Sequence, residues 1–213
     1  MTLTLSERLD ALVRLGDYLR AGHPDLDQII QTAEQHNRWF TKANIHLALG
    51  NMAQHFLTAD ALAAWVARYP ALQAPRTPLQ VGLVLAGNIP AVGFHDLLCT
   101  FVAGHTALVK YSDKDRFLLP FLLQQLVGIE ARTAPYFKPV VRLQDFDAVI
   151  ATGSNNSARY FKQYFGKYPN IIRQNRNAVA VLNGRETADD FRALGVDLIT
   201  SLIINNHTVA TLS

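Results

Sequence analysis

The chain has 213 residues, of which 49% are hydrophobic and 17% are charged. This length and apolar content allow a sizeable core, which excludes a disordered protein. The net charge of +3 comes from scattered lysines and arginines, so no basic stripe predicts a nucleic-acid partner. The single cysteine, Cys99, cannot form an internal disulfide, and neither a membrane span nor a secretory leader is present. We therefore expect a soluble, cytoplasmic protein.

The first third of the sequence predicts helices only. Apolar residues recur at helical spacing behind Ser6, the expected N-cap of the first helix. The predicted helices cover residues 5–21 and 26–38, and two more begin behind Thr41 and Thr58. Residues 1–69 are therefore expected to form a helical segment, and residues 70–79, which contain three prolines, a linker.

From residue 80 onward, short apolar runs alternate with helical stretches. This alternation is typical of a doubly wound parallel sheet, and runs that are apolar at every position fit strands covered on both faces. Strands are predicted at residues 80–85, 107–111, 140–143, 148–151 and 178–182. Helices are predicted at residues 89–102, 117–128, 156–165 and 188–194. The sequence thus predicts an α/β, Rossmann-like domain over residues 80–200 and an atypical tail over residues 201–213.

A polar turn follows the first predicted strand at its carboxyl end, where parallel sheets bind ligands. It reads Gly87-Asn88-Ile89-Pro90, and it lacks the G-x-G-x-x-G fingerprint of dinucleotide-binding turns. Asn88 has two interpretations. It is either the N-cap of the next helix or an amide donor that would stabilise an oxyanion.

Two further turns offer groups for an anionic ligand. Lys110 closes the second strand and can reach a ribose or phosphate oxygen, whereas Ser112 or Asp113 can cap the helix that follows. After the fourth strand, Gly153 lets the backbone approach a ligand. Ser154 then precedes a helix N-terminus, which either binds an anion such as pyrophosphate or is simply capped by the serine.

Histidine and cysteine do not predict a metal or a nucleophile. His95 and Cys99 lie four residues apart on one predicted helix, but a second pair of ligands is lacking, so we expect no metal. No serine has the G-x-S-x-G spacing of a nucleophile elbow.

Taken together, the three turns resemble those of the aldehyde dehydrogenase superfamily, and in particular its acyl-CoA reductase branch, the LuxC-like reductases. Residues 81–112 are similar to the superfamily pattern of a strand, an Asn-x-Pro turn, a helix and a second strand that ends at Lys-x-Ser. A later Thr-Gly-Ser turn is similar to residues 152–154. The motif Asn-Arg-Trp-Phe-Thr at residues 37–41 and the run at residues 175–182 also look like this branch. The resemblance extends to about Asp197.

The resemblance implies reduction of a long-chain acyl-CoA or acyl-protein thioester to an aldehyde, with NADPH, through an acyl-cysteine. Asn88 would donate to the oxyanion of the thioester. The implied cofactor-binding residues are Lys110, Ser112 and Asp113 at the adenosine ribose, and Gly153 and Ser154 at the pyrophosphate.

The sequence departs from the superfamily pattern at two places. Residues 171–175 read Ile-Ile-Arg-Gln-Asn where hydrolysing members carry a glutamate, which fits a reductase that must not hydrolyse its acyl-enzyme. The nucleophilic cysteine is expected shortly after Asp197, yet no cysteine follows, and Cys99 belongs to the helix under the cofactor. We therefore expect a truncated or frame-slipped chain, inactive alone, with homo-oligomers possible only for the full-length form.

Two other interpretations stay open. The chain could be a catalytically silent nucleotide-binding or partner-binding module of the same fold. It could also be an unrelated doubly wound binding domain, which would not respond to NADPH.

Overall fold

A computed structural model describes residues 2–74, 77–174 and 180–205 of the chain, and the side chains of these residues as far as residue 196. Within this part, no helix is both long enough and apolar enough to cross a membrane.

Four helices form the N-terminal part of the structure. They are α1 (Leu5–Ala21), α2 (Pro24–His36), α3 (Lys42–His55) and α4 (Ala59–Ala67). The side chains of Thr4, Thr41 and Thr58 each accept a hydrogen bond from a backbone N–H in the first turn, which explains where three of them begin. The prediction of Ser6 as a cap is wrong, because Thr4 forms a reciprocal capping box with Glu7.

A five-stranded, fully parallel sheet follows, with the strand order β3-β2-β1-β4-β5. The strands are β1 (Gln80–Val84), β2 (Thr106–Lys110), β3 (Phe137–Pro139), β4 (Ala148–Thr152) and β5 (Asn170–Arg173). The central strand β1 pairs with β2, with Val84 opposite Lys110, and with β4, with Val84 opposite Ala151. The chain direction across the sheet reverses between β1 and β4, and open α/β sheets bind ligands at such a reversal.

Four helices accompany the strands: α5 (Phe94–Val102), α6 (Leu118–Ile129), α7 (Asn155–Phe165) and α8 (Ala188–Asn205). The first two connect β1 to β2 and β2 to β3, and α7 connects β4 to β5, as the crossovers of a parallel sheet require. The predicted α/β doubly wound parallel sheet, preceded by a helical segment, is therefore confirmed.

Two predicted strands are wrong in position. The strand expected at residues 140–143 lies earlier, at β3, and Val141 is 94% exposed in the loop that follows, so its apolar character does not reflect burial. Of the strand expected at residues 178–182, the first two residues lie outside the described residues. The other three form no strand, and Val181 is 83% exposed. Strand β5 was not predicted because Ile171 and Ile172 are too short an apolar run.

One hydrophobic core joins the helical segment to the sheet. Leu15 of α1, Leu83 of β1 and Leu119 of α6 all belong to it, and each has no exposed surface. Helix α1 packs against both α5 and α6. The N-terminal helices therefore pack on two of the crossover helices of the sheet, while the boundaries predicted at residues 1–69, 70–79 and 80–200 stay predictions.

Candidate active site

The three predicted turns all lie at the carboxyl ends of the strands, on the same side of the sheet, because β1, β2 and β4 are adjacent parallel strands. Asn88 follows β1, Lys110 ends β2, and Ser154 follows β4. The structure thus places the residues predicted from separate motifs at the carboxyl ends of neighbouring strands. The reversal of strand order between β1 and β4 lies among them.

The turns after β1 and β2 lie in close contact. A Cβ atom added to Gly87 would lie 2.5 Å from the Ser112 Oγ atom and 2.6 Å from its Cβ atom, so this position has no room for a side chain. The Ser112 hydroxyl accepts a hydrogen bond from the Lys114 N–H at 3.3 Å and caps a short 3-10 turn over Asp113–Asp115. The predicted cap of the following helix is therefore wrong, because Ser112 caps only this 3-10 turn and Phe117 is the N-cap of α6. The exposed Asp113 carboxylate instead accepts a hydrogen bond from Arg116 at 3.0 Å.

A buried carboxylate that the sequence did not single out links these two turns. Asp115 is 2% exposed, and its Oδ2 atom accepts a hydrogen bond from the Ala91 N–H at 2.8 Å. Burial raises the pKa of this carboxyl to about 6. A charged residue two positions before the apolar run that leads into α6 was the available signal, but such a residue is ordinarily a solvated helix end.

Asn88 does not cap the following helix. Helix α5 begins only at Phe94, with Gly93 as its N-cap, and Ala91 between them has a φ of 56°, which a right-handed helix cannot contain. The N-cap interpretation of Asn88 is therefore wrong. Asn88 lies exposed in the irregular turn after β1, and its role as an oxyanion donor stays a prediction.

Lys110 is exposed at the end of β2. Its backbone carbonyl accepts a hydrogen bond from the Leu85 N–H at 3.1 Å, which fixes the strand end beside the turn after β1. The Lys110 ammonium group is thus attached to a fixed backbone position at the carboxyl end of β2, where it can bind an anion.

The third turn leads into α7. The Ser154 hydroxyl accepts a hydrogen bond from the Ser157 N–H at 3.2 Å, which confirms its capping role. A Cβ atom on Gly153 would lie 2.9 Å from both Ser157 and Phe161, so glycine lets the helix pack closely on the strand end. The first turn of α7 carries no acidic residue, and its N-terminus therefore keeps the positive potential that favours an anion.

A charged cluster on α5 was not predicted. Asp96 is 4% exposed, forms an ion pair with Arg173 of β5, and has its Oδ1 atom 3.6 Å from His95 Nδ1. The Cys99 sulfur lies 3.7 Å from His95 Nε2. The Asp96 carboxylate, followed by the Cys99 thiol, raises the pKa of His95 to about 10. Arg173 was invisible as a partner because the ion pair joins residues far apart in the chain.

An apolar groove of about 540 Å³ lies between α3 and the turn after β1. Met52 of α3 and its C-cap residue Phe56 line one side, while Ile89, Pro90 and Val92 line it from the turn. The groove therefore begins at the residue directly after Asn88. Among the described residues, no group of three or more histidine, cysteine, aspartate or glutamate side chains is arranged to hold a metal ion.

The carboxyl ends of the strands carry two features that suit a dinucleotide. Lys110 is an exposed cation, and the N-terminus of α7 has the positive potential that favours an anion such as pyrophosphate. These two features, and not the G-x-G-x-x-G fingerprint, make the residues compatible with such a cofactor.

Comparison with known proteins adds evidence on the fold. No family model matches the sequence, and no curated protein matches it. Among solved structures, aldehyde dehydrogenase 21 from Physcomitrella patens, in complex with the product succinate, aligns with a TM-score of 0.69 and 16% identity. The alignment covers 94% of this chain and 45% of that one.

Two further structures agree. A mutant of the propionaldehyde dehydrogenase from the Clostridium phytofermentans fucose utilisation microcompartment aligns with a TM-score of 0.62 and 12% identity over 95% of this chain and 49% of that one. A candidate aldehyde dehydrogenase from Burkholderia cenocepacia aligns with a TM-score of 0.59 and 13% identity over 96% of this chain and 46% of that one. The chain therefore has the aldehyde dehydrogenase fold, over a part that spans less than half the length of these proteins.

Proposed function

We propose that the chain is the cofactor-binding part of an oxidoreductase that reduces an acyl thioester to an aldehyde with NADPH. The observation that supports this proposal is that Asn88, Lys110 and the N-terminus of α7 follow or end three adjacent parallel strands, beside the strand reversal of a sheet with the aldehyde dehydrogenase fold. The acyl-CoA reductase resemblance of residues 81–112 supports the choice of a thioester.

In this proposal, Lys110 and Ser112 bind the adenosine ribose, and a 2′-phosphate on it would meet the Lys110 ammonium. Gly153 and the backbone N–H groups at the start of α7 bind the pyrophosphate. Asp113 lies beside this ribose site, although its carboxylate is already paired with Arg116. The bound dinucleotide supplies hydride.

Asn88 acts on the other reactant. Its amide donates a hydrogen bond to the thioester oxygen, which gains negative charge in the transition state. The groove that begins at Ile89 takes the acyl chain, because its walls are mainly apolar and its volume suits an alkyl group. In the described part of the Ile171–Asn175 segment no carboxylate is present to activate water, which favours reduction over hydrolysis.

Nucleotide binding tests the proposal directly on the 213-residue protein. We expect NADPH to bind and to raise the melting temperature. Lys110→Ala should weaken binding about tenfold, since a lost hydrogen bond to a charged group costs about 1.5 kcal/mol. Lys162→Ala is the matched control, because this exposed lysine lies in the last turn of α7 and should leave the affinity unchanged.

Asn88→Ala should also leave nucleotide affinity unchanged, because the amide is assigned to the acyl group. Equal affinities of the wild type and Lys110→Ala would refute the ribose assignment, and a complete lack of binding would refute the nucleotide site. We expect no aldehyde from acyl-CoA with this chain alone. Turnover would contradict the proposal that this chain lacks the nucleophile.

The alternative is a catalytically silent module of the same fold. It is favoured by Cys99, the only cysteine in the sequence, which lies on α5 beside His95 and not in a turn at the edge of the sheet. NADPH binding without turnover, even when acyl-CoA and the catalytic half of a homologous reductase are supplied, would favour this alternative.

A further inference from the structure

We propose that Asn37 is a positioning residue of the nucleotide site, through which the N-terminal helices hold the loop after β2 in its ligand-binding form. This inference rests on the proposed nucleotide site at Lys110. It also gives a role to the Asn-Arg-Trp-Phe-Thr motif of residues 37–41, which the proposed function leaves without one.

The Asn37 side-chain amide forms hydrogen bonds with both its nitrogen and its oxygen. Its Nδ2 atom donates to the Lys114 carbonyl at 3.1 Å, and its Oδ1 atom accepts from the Trp39 N–H at 3.2 Å. The second bond fixes the orientation of the amide, so that the donor points at the loop. A side chain held in this way loses little further entropy when it binds its target.

The backbone of Asn37 is fixed as well. Asn37 is the C-cap of α2, its N–H donates to the Ala33 carbonyl at 2.9 Å, and its carbonyl accepts from the Phe40 N–H at 2.8 Å. Phe40 is 1% exposed in the core. The motif therefore forms a rigid support: its aromatic residue anchors the turn, and its asparagine contacts the loop.

A neighbouring histidine contacts the same loop. His36 Nε2 lies 3.2 Å from the Asp113 carbonyl, next to the carbonyl that Asn37 binds. The His36 ring also packs edge-on against Phe117, with 5.1 Å between ring centroids. Two successive carbonyls of the loop are thus held by two successive residues at the end of α2.

The opposite side of the loop is held by Asp115. Its N–H donates to the Ser112 carbonyl at 3.1 Å, and its carboxylate binds the Ala91 N–H in the turn after β1. The loop from Ser112 to Asp115 therefore lies between two fixed supports. Because Lys110 and Ser112 directly adjoin it, removing either support should let the ribose site fluctuate before a ligand arrives.

Hydrogen exchange on the ligand-free protein tests the support without any nucleotide. In Asn37→Ala we expect the amides of Lys114 and Asp115 to exchange at least tenfold faster, while those of β1 keep their protection. Asn37→Asp keeps an oxygen acceptor for the Trp39 N–H and replaces the donor to Lys114 with a carboxylate oxygen that repels the Lys114 carbonyl, so it should give at least the same local effect. Asn44→Ala, at a half-buried position on α3, is the control.

A double-mutant cycle separates positioning from general destabilisation. We expect Asn37→Ala to raise the Kd for NADPH about fivefold in the wild-type background, and to have a clearly smaller effect in the Lys110→Ala background, because part of the Asn37 effect acts through Lys110. An unchanged Kd together with unchanged exchange would overturn the inference, as would an equal effect in both backgrounds. If the wild type binds no NADPH, the proposed function fails, and the exchange experiment alone decides the role of Asn37.

Discussion

The Asp115 carboxylate and the Ala91 N–H are joined by a buried hydrogen bond of 2.8 Å. Through this contact, the loop that carries the candidate ribose groups is tied to the turn that carries Asn88. Ala91 has a left-handed φ of 56°, a conformation that costs a residue with a side chain about 1 kcal/mol or more. The bond from Asp115 stabilises that strained turn, so one side chain supports both halves of the candidate site.

The pH dependence of stability should report on Asp115. Burial raises the pKa of Asp115 from 3.8 to about 6, so the folded state holds this proton more tightly than the unfolded state does. Its contribution to stability is therefore fully present below pH 3.8 and is lost as the pH rises through about 6. Relative to Asp115→Asn, the wild type should lose on the order of 2 kcal/mol between these limits, measured by urea unfolding.

Asp115→Asn is a suitable reference because an amide oxygen can still accept the hydrogen bond from Ala91 and the amide does not titrate. Asp113→Asn, at an exposed position in the same loop, is the control for loop charge. Its free energy of unfolding should change with pH as that of the wild type does. A stability difference between the wild type and Asp115→Asn that stays constant from pH 4 to pH 7 would contradict the assignment.

The sequence predicted the parts of the fold that depend on local patterns. Helix starts behind Thr41 and Thr58, and strands at β1, β2 and β4, were found because a cap or a fully apolar run marks each of them. Strand β5 was missed, since an edge strand with exposed Ile171 has no such run. The late start of α5 was missed because its cause, the conformation of Ala91, depends on a residue distant in sequence.

The same division applies to the candidate site. Motifs placed Lys110 and Ser154 correctly at strand ends, because a strand followed by a polar turn is a local signal. Asp115, Asn37 and Arg173 were not found, because each acts through a contact that only the tertiary structure creates. The role of Asn88 as a cap was mistaken for the same reason.

The close contact between Gly87 and Ser112 gives a second prediction. Gly87→Ala should lower the free energy of unfolding by about 1–3 kcal/mol, because its Cβ atom would lie 2.5 Å from the Ser112 hydroxyl in a packed turn. Gly128→Ala in α6 is the comparison variant. A Cβ atom at Gly128 would have no atom within 4 Å, so this substitution should raise the free energy of unfolding by up to about 1 kcal/mol. Chemical denaturation of both variants measures the difference.

Removing the Ser112 side chain is the internal check on this contact. The double variant Gly87→Ala with Ser112→Gly should recover part of the stability, after correction for Ser112→Gly alone. If Gly87→Ala is as stable as Gly128→Ala, Gly87 and Ser112 are not in close contact.

The cluster on α5 gives the last prediction. Asp96 is the main cause of the raised pKa of His95, so Asp96→Asn should lower that pKa from about 10 toward 6.5, as followed by NMR titration of the imidazole. The stability that His95 contributes is present below pH 6.5 and is lost as the pH rises through about 10, so the variant should lose this dependence. Asp10→Asn, at an exposed carboxylate that pairs with Arg14 on α1, should leave the titration unchanged. A His95 pKa that is the same in Asp96→Asn and in the wild type would show that the buried carboxylate serves Arg173 alone.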